Sequence, residues 1–144
     1  MEIKVITNSA KRRDFVLAVS TYFVQVLKLK KSRMKVHIYS IPRLSKEHKK
    51  RGAVARITDD KVHVLFDSRL SPVELVEVLA HEFVHVKQHA RGQLRSYTRK
   101  DGKYGWYWMG KINRANYENQ PWEIEARTKE KVLGNAIIDI INAG

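Results

Sequence analysis

Apolar and polar residues alternate from Glu2 to Thr7, the period of a strand with one covered face. The pattern then changes to helical spacing, with Phe15, Val16, Val19, Phe23, Val26 and Leu27 recurring every three or four positions. This predicts a strand and then a helix, capped by Asn8 or Ser9 and ending in the basic run near Lys30. Met34 to Ile41, rich in Val, Ile and Tyr and closed by Pro42, reads as a second strand, and the charged stretch Arg43 to Arg51 as a loop. Ala53 to Thr58 and Lys61 to Asp67 flank Asp59-Asp60, a connection of hairpin length. The second arm alternates Val62, Val64 and Phe66 with Lys61, His63 and Leu65.

Ser71-Pro72-Val73-Glu74 carries a capping serine, a proline at the first helical position and a glutamate three residues after the cap, so a helix starts there. It runs through His89 or Arg91 and stops at Gly92. From Gln93 to Gln120 the chain is rich in Tyr and Trp with Asp101-Gly102 in the middle, which predicts an aromatic hairpin or long loop. Pro121 opens a last helix with an apolar stripe of Leu133, Ala136, Ile137, Ile140 and Ile141, in which Gly134 is the point of bending or interruption. No repeat and no linker divides the chain. The expected fold class is α+β: residues 1–144 as a single domain, with a small twisted mixed sheet of about four strands packed on the first helix and on the helix that Ser71 caps.

Composition narrows the chemistry. With 144 residues, 43% hydrophobic and 30% charged, the chain fits one core; three prolines and seven glycines exclude a collagen-like or low-complexity polymer. No run of about 18 apolar residues occurs, and Met1-Glu2-Ile3-Lys4-Val5 lacks the basic-then-apolar pattern of a leader, so the expectation is a cytoplasmic protein with no membrane role. The absence of cysteine removes disulfides, thiolate metal sites and thiol nucleophiles, leaving His, Asp and Glu to hold any metal. The net charge of +13 attracts polyanions, which makes nucleic acid a candidate partner through basic surface, with a solvated surface the commoner role of such charge. The positive residues are scattered among several clusters rather than one stripe, as solvated surface also would be.

The decisive stretch is His81-Glu82-Phe83-Val84-His85. Two histidines four apart on a helix share one face, so both imidazoles reach one ion, and the glutamate beside the first stands next to the water such an ion binds. A catalytic zinc usually takes three protein ligands. His89 continues the row but lies about 12 Å along the axis from His81, too far to share one ion, and reads as rim, orienting or surface residue. The metzincin spacing is absent, because no third histidine follows Gly92. The remaining route is a carboxylate of Pro121-Trp122-Glu123-Ile124-Glu125-Ala126. Glu123 and Glu125 point about 200° apart on a helix, so one of the two faces the ion.

These residues resemble the gluzincin metallopeptidases, in which a helical HExxH pairs with a glutamate on a later helix, often in a Glu-x-x-Ala frame. Glu123-Ile124-Glu125-Ala126 matches that frame with Glu123 as ligand; where many relatives follow the Ala with an Asp that orients a ligand histidine, Arg127 stands here. In outline the chain is also similar to compact metallopeptidase-like proteins of phages, plasmids and archaea. The resemblance implies a minimal zincin-like domain, one zinc ion per chain held by His81, His85 and Glu123, Glu82 as general base, and a protein or peptide substrate in the setting of a virus or mobile element. It further implies that Lys61 to Asp67 is the edge strand along which an extended substrate adds. Tyr107, Tyr117 and His89 are the candidates for stabilising an oxyanion.

Other readings compete. Trp106-Tyr107-Trp108 with Lys103, Lys111 and Arg114 fits base stacking over phosphates, or else a hydrophobic cover over the site helix. The run Lys46 to Arg51 fits phosphate tracking or a solvated loop. A basic nucleic-acid-binding module with a structural metal, or a protease recruited to nucleic acid by its charge, is the alternative function.

Overall fold

In the computed structural model, which describes residues Met1–Gly144, the first four strands form one mixed sheet. They are β1 (Glu2–Ile6), β2 (Lys35–Ile41), β3 (Gly52–Thr58) and β4 (Lys61–Asp67), in the order β1-β2-β4-β3. β1, β2 and β4 run parallel, while β3 returns antiparallel along β4 with an irregularity between Arg56 and Thr58. Val36, Ile38, Val62, Val64 and Phe66 point to one face and are inaccessible to solvent. Three helices, α1 (Ala10–Val26), α3 (Pro72–Ala90) and α4 (Pro121–Ala143), contribute the other side chains of that core, among them Phe23, Leu79, Phe83 and Ala126. The fold is α+β.

Helix ends follow local chemistry. The Ser9 side chain caps α1 by accepting from the Arg12 N–H. The helix stops at Val26 rather than near Lys30: Lys28 turns into the left-handed region (φ 58°), the Leu29 N–H donates to Val24 O at 2.8 Å, and Leu29 is buried against the core. In α3 the expected capping box is complete. The Glu74 N–H donates to Ser71 Oγ, and the Ser71 N–H donates to the Glu74 carboxylate. Gly92, at φ 66°, ends α3 with the same hydrogen-bond pattern that Lys28 completes after α1.

Three expectations are corrected, and the aromatic hairpin around Asp101-Gly102 is extended. The stretch from Arg43 to Arg51 is not all loop, because Leu44–His48 forms a short helix, α2. Buried Leu44 anchors it, and the buried Asp67 carboxylate accepts from Ser45 N at 2.7 Å and from Arg69 N at 2.8 Å. Lys61–Asp67 is not an edge strand: β4 is paired on both sides, by β2 and β3, and the free edge beside α3 belongs to β3. The aromatic hairpin is a three-stranded antiparallel sheet of β5 (Leu94–Thr98), β6 (Tyr104–Trp108) and β7 (Lys111–Asn113). Its second turn, Met109-Gly110, has both residues at positive φ. Finally, Gly134 does not interrupt α4, which is continuous from Pro121 to Ala143. A Cβ there would lie 3.5 Å from Val76 Cγ1 and 3.8 Å from Ala80 Cβ, so the glycine marks where α4 crosses α3. No helix is long and apolar enough to cross a membrane.

Candidate metal centre

His81 and His85 sit one turn apart on α3, their ring centroids 5.0 Å apart and nearly perpendicular. The first turn of α4 brings Glu123 to them. One carboxylate oxygen lies 3.2 Å from His81 Nε2 and the other 2.9 Å from His85 Nε2. Ligand atoms of the three residues all fall within 4.8 Å of one another. Two imidazoles and one carboxylate converging from two helices can hold a metal ion. Pro121 fixes the start of α4, and buried Trp122, with Trp106 and Trp108 at 5.8 and 6.0 Å, pins its first turn.

The same turn settles the two glutamates. Glu125 points away from the histidines and accepts from Lys87 Nζ at 2.8 Å on both oxygens, from Gln88 Nε2 at 2.9 Å and from Lys129 at 3.0 Å. Burial opposes the charge of Glu125, but these donors outweigh it and hold its pKa down at about 2.

A ring of partners aims the imidazoles. His81 Nδ1 lies 2.9 Å from Glu130 Oε2 and His85 Nδ1 lies 2.8 Å from Gln88 Oε1. An ionised carboxylate only accepts. The Gln88 amide nitrogen is already donating to Trp122 O and Glu125, so its oxygen faces His85. Both Nδ1 atoms therefore carry protons, and both Nε2 atoms turn toward Glu123. Burial disfavours the charged rings, yet the hydrogen bonds to Glu123 and the nearby Glu82 and Glu123 charges prevail, raising both histidine pKa values. Glu123 is correspondingly depressed: burial raises it, but the two histidines more than reverse that.

Glu82 is 7% exposed and lies on a cavity of about 720 Å³, where burial pushes its carboxyl pKa up against the pull of His85 and His81. The cavity is walled by α3, by the start of α4, by the 3-10 turn Tyr117–Asn119 and by Gly52, Ala53 and Val54 of β3. A Cβ on Gly52 would lie 2.5 Å from Val78 Cγ1 and 3.3 Å from Glu82 Cγ, so only glycine lets the edge strand run this close to the glutamate. Lys49, Lys50 and Arg51 line the cavity where the chain enters β3.

The oxyanion candidates separate. The Tyr117 hydroxyl donates to Glu123 Oε2 at 3.4 Å and faces the cavity. Burial and the Glu123 charge raise its pKa, so it remains a proton donor. His89 also lines the cavity but is outside the ligand triad; burial, with the Arg56 and His85 charges, pushes it down to about 4 and keeps it neutral. Tyr107 packs on Tyr97 and does not line the cavity. Trp106 and Trp108 close over Trp122 at the start of α4, rather than over the helix that carries the two histidines.

Sequence reasoning missed Glu130 and Gln88. Glu130 follows Glu123 by seven residues, two helical turns on the same face, and Gln88 follows His85 by three; those spacings were the available signals. No protein-family model matches the chain, and no curated protein or solved structure matches it.

Proposed function

We propose that the protein is a zinc-dependent peptidase of the gluzincin type. The observation that carries this reading is the convergence of His81, His85 and Glu123 from two helices, with buried Glu82 on the same cavity. The donor set suits zinc, with both histidine Nε2 atoms directed by groups on their Nδ1 side. A zinc ion bound there supplies Lewis acidity, polarising a scissile carbonyl and acidifying a water.

The chain's own residues do the rest. Glu82, whose burial raises its proton affinity, takes the proton of the attacking water and delivers it to the leaving amide nitrogen. The Tyr117 hydroxyl swings from Glu123 to the developing oxyanion. The free edge of β3 pairs with an extended substrate, whose backbone then lies along Gly52, Ala53 and Val54 at the cavity. This moves the substrate strand from β4, where the resemblance placed it, to its antiparallel neighbour.

The test is a pair of measurements on the purified protein. Glu82→Gln should keep one zinc per chain and lose cleavage of an unstructured protein such as casein by at least about a hundredfold. His81→Ala, His85→Ala and Glu123→Ala should lose the zinc. A Glu82→Gln protein that digests casein at the wild-type rate sinks the peptidase reading.

A further inference from the structure

The face of the β1-β2-β4-β3 sheet turned away from the helices carries no layer. All of the sheet's core residues come from the opposite face, and the side chains of the outer face stand outside the core cluster. Register places this outer set in rows. Lys4, His37, His63 and Ala55 lie side by side across four strands, Tyr39 stands one step along in the next row, and Lys35 and Lys61 pair in the row on the other side.

Three rings thus share the middle of an open sheet. His37 and His63 are near-parallel, 12° apart in plane with centroids 5.9 Å apart, and Tyr39 meets His63 edge-on at 4.9 Å. Lys4, Lys35 and Lys61 stand beside the two histidines, with the Glu2 charge also acting on His37, while Tyr39 lies between Ile6 and Leu65 in its row. On the β3 side the face is flat, because Ala53 and Ala55 carry only methyl groups. On the second sheet Trp106 and Trp108 close on Trp122, and the Tyr97–Tyr107 pair with exposed Tyr104 is the rival aromatic surface, which Lys103→Glu with Lys111→Glu separates from this one.

We propose that this uncovered sheet face binds a single-stranded nucleic acid, with bases stacked on Tyr39, His37 and His63 and phosphates met by Lys4, Lys35 and Lys61. Planar rings with ammonium groups along one side match the two constant features of a single strand, its base faces and its phosphates, which DNA and RNA share. Paired bases keep their faces inside the stack, and a flat sheet offers no element to enter a duplex groove. A second copy of the chain does not fit, because each brings the same lysines and a net charge of +13. The proposal stands apart from the metal centre, and chelation should leave it unchanged.

Fluorescence anisotropy with labelled oligothymidylate and oligouridylate, about twelve nucleotides long, tests it. Binding of either strand is expected, tighter than that of a duplex of equal length and indifferent to EDTA. Tyr39→Ala should weaken it by about 5- to 100-fold, the range for losing one stacked base, while Tyr39→Phe keeps the ring and should preserve it. Lys4→Glu with Lys61→Glu should weaken binding and flatten its salt dependence, whereas Lys103→Glu with Lys111→Glu, an equal charge change on the second sheet, should cost less than about threefold. Urea midpoints confirm that each variant is folded. Equal losses from both lysine pairs, unchanged binding by folded Tyr39→Ala, equally tight duplex binding, or no binding of either strand overturns the proposal. So does a dimer in sedimentation that Tyr39→Ala dissolves, which would give the face to a second copy.

Discussion

At the scale of single residues, the centre depends on groups one step removed from any ion. The Glu130 carboxylate holds the Nδ1 proton of His81 and so leaves Nε2 as the free donor, a task that Arg127, at the position where many gluzincins carry an aspartate, cannot perform. Replacing Glu130 by Gln should lower zinc affinity by about 10- to 100-fold without unfolding the protein, as read by competition with a chromophoric chelator. Glu125→Gln, only two positions from Glu123, should lower that affinity less than Glu130→Gln does, because Glu125 pairs with Lys87 and reaches His85 only through Gln88. The buried Lys87 makes this division clear: burial draws its pKa down, and the Glu125 carboxylate opposes that.

At the scale of elements, the site is a product of how closely α3 meets its neighbours. Gly134 sets the crossing with α4. A methyl group there makes ordinary contacts at 3.5 to 3.8 Å, so Gly134→Ala should raise stability by about 0.5–1 kcal/mol through helix propensity alone. Gly134→Leu overfills the crossing and should cost about 1–3 kcal/mol, both measured by urea unfolding. The same crossing explains what the sequence could and could not disclose. The HExxH ligands, the capping box at Ser71 and the hairpin at Asp59-Asp60 are encoded within a few residues and were legible. Glu123 was legible through its frame. Glu130 was not, because its value depends on α4 lying beside α3 for two further turns. The place of β4 inside the sheet was hidden for a similar reason: nothing local to Lys61–Asp67 states that β2 will pair with it in parallel. The helix α2 depends on Asp67, more than twenty residues away, and β7 on a Met-Gly turn that lacks the usual Asn or Asp.

At the scale of the whole molecule, acid should loosen the α3–α4 pairing by a calculable route. Glu125 has a folded-state pKa of about 2 against an ordinary 4.5, so its contribution is complete above pH 4.5 and is lost as the pH falls toward 2. Allowing for its partial exposure, that contribution is on the order of 2 kcal/mol. Wild-type protein should therefore exceed Glu125→Gln in unfolding free energy at pH 7 by about that amount, and the gap should shrink as the pH falls from 4.5 and close only below about pH 2. A gap of undiminished size at about pH 2 would show that the neutral side chain's packing, rather than its charge, does the stabilising. The excess of positive charge, +13 over the whole chain, acts on a longer range and favours encounter with polyanions.

The indole cluster has a practical corollary. All three tryptophans of the chain are gathered within about 6 Å of Trp122, and Trp122 is the immediate neighbour of Glu123. The chain thus carries its own fluorophore at the lip of the centre, and ultraviolet emission follows the occupancy of that carboxylate without any dye attached.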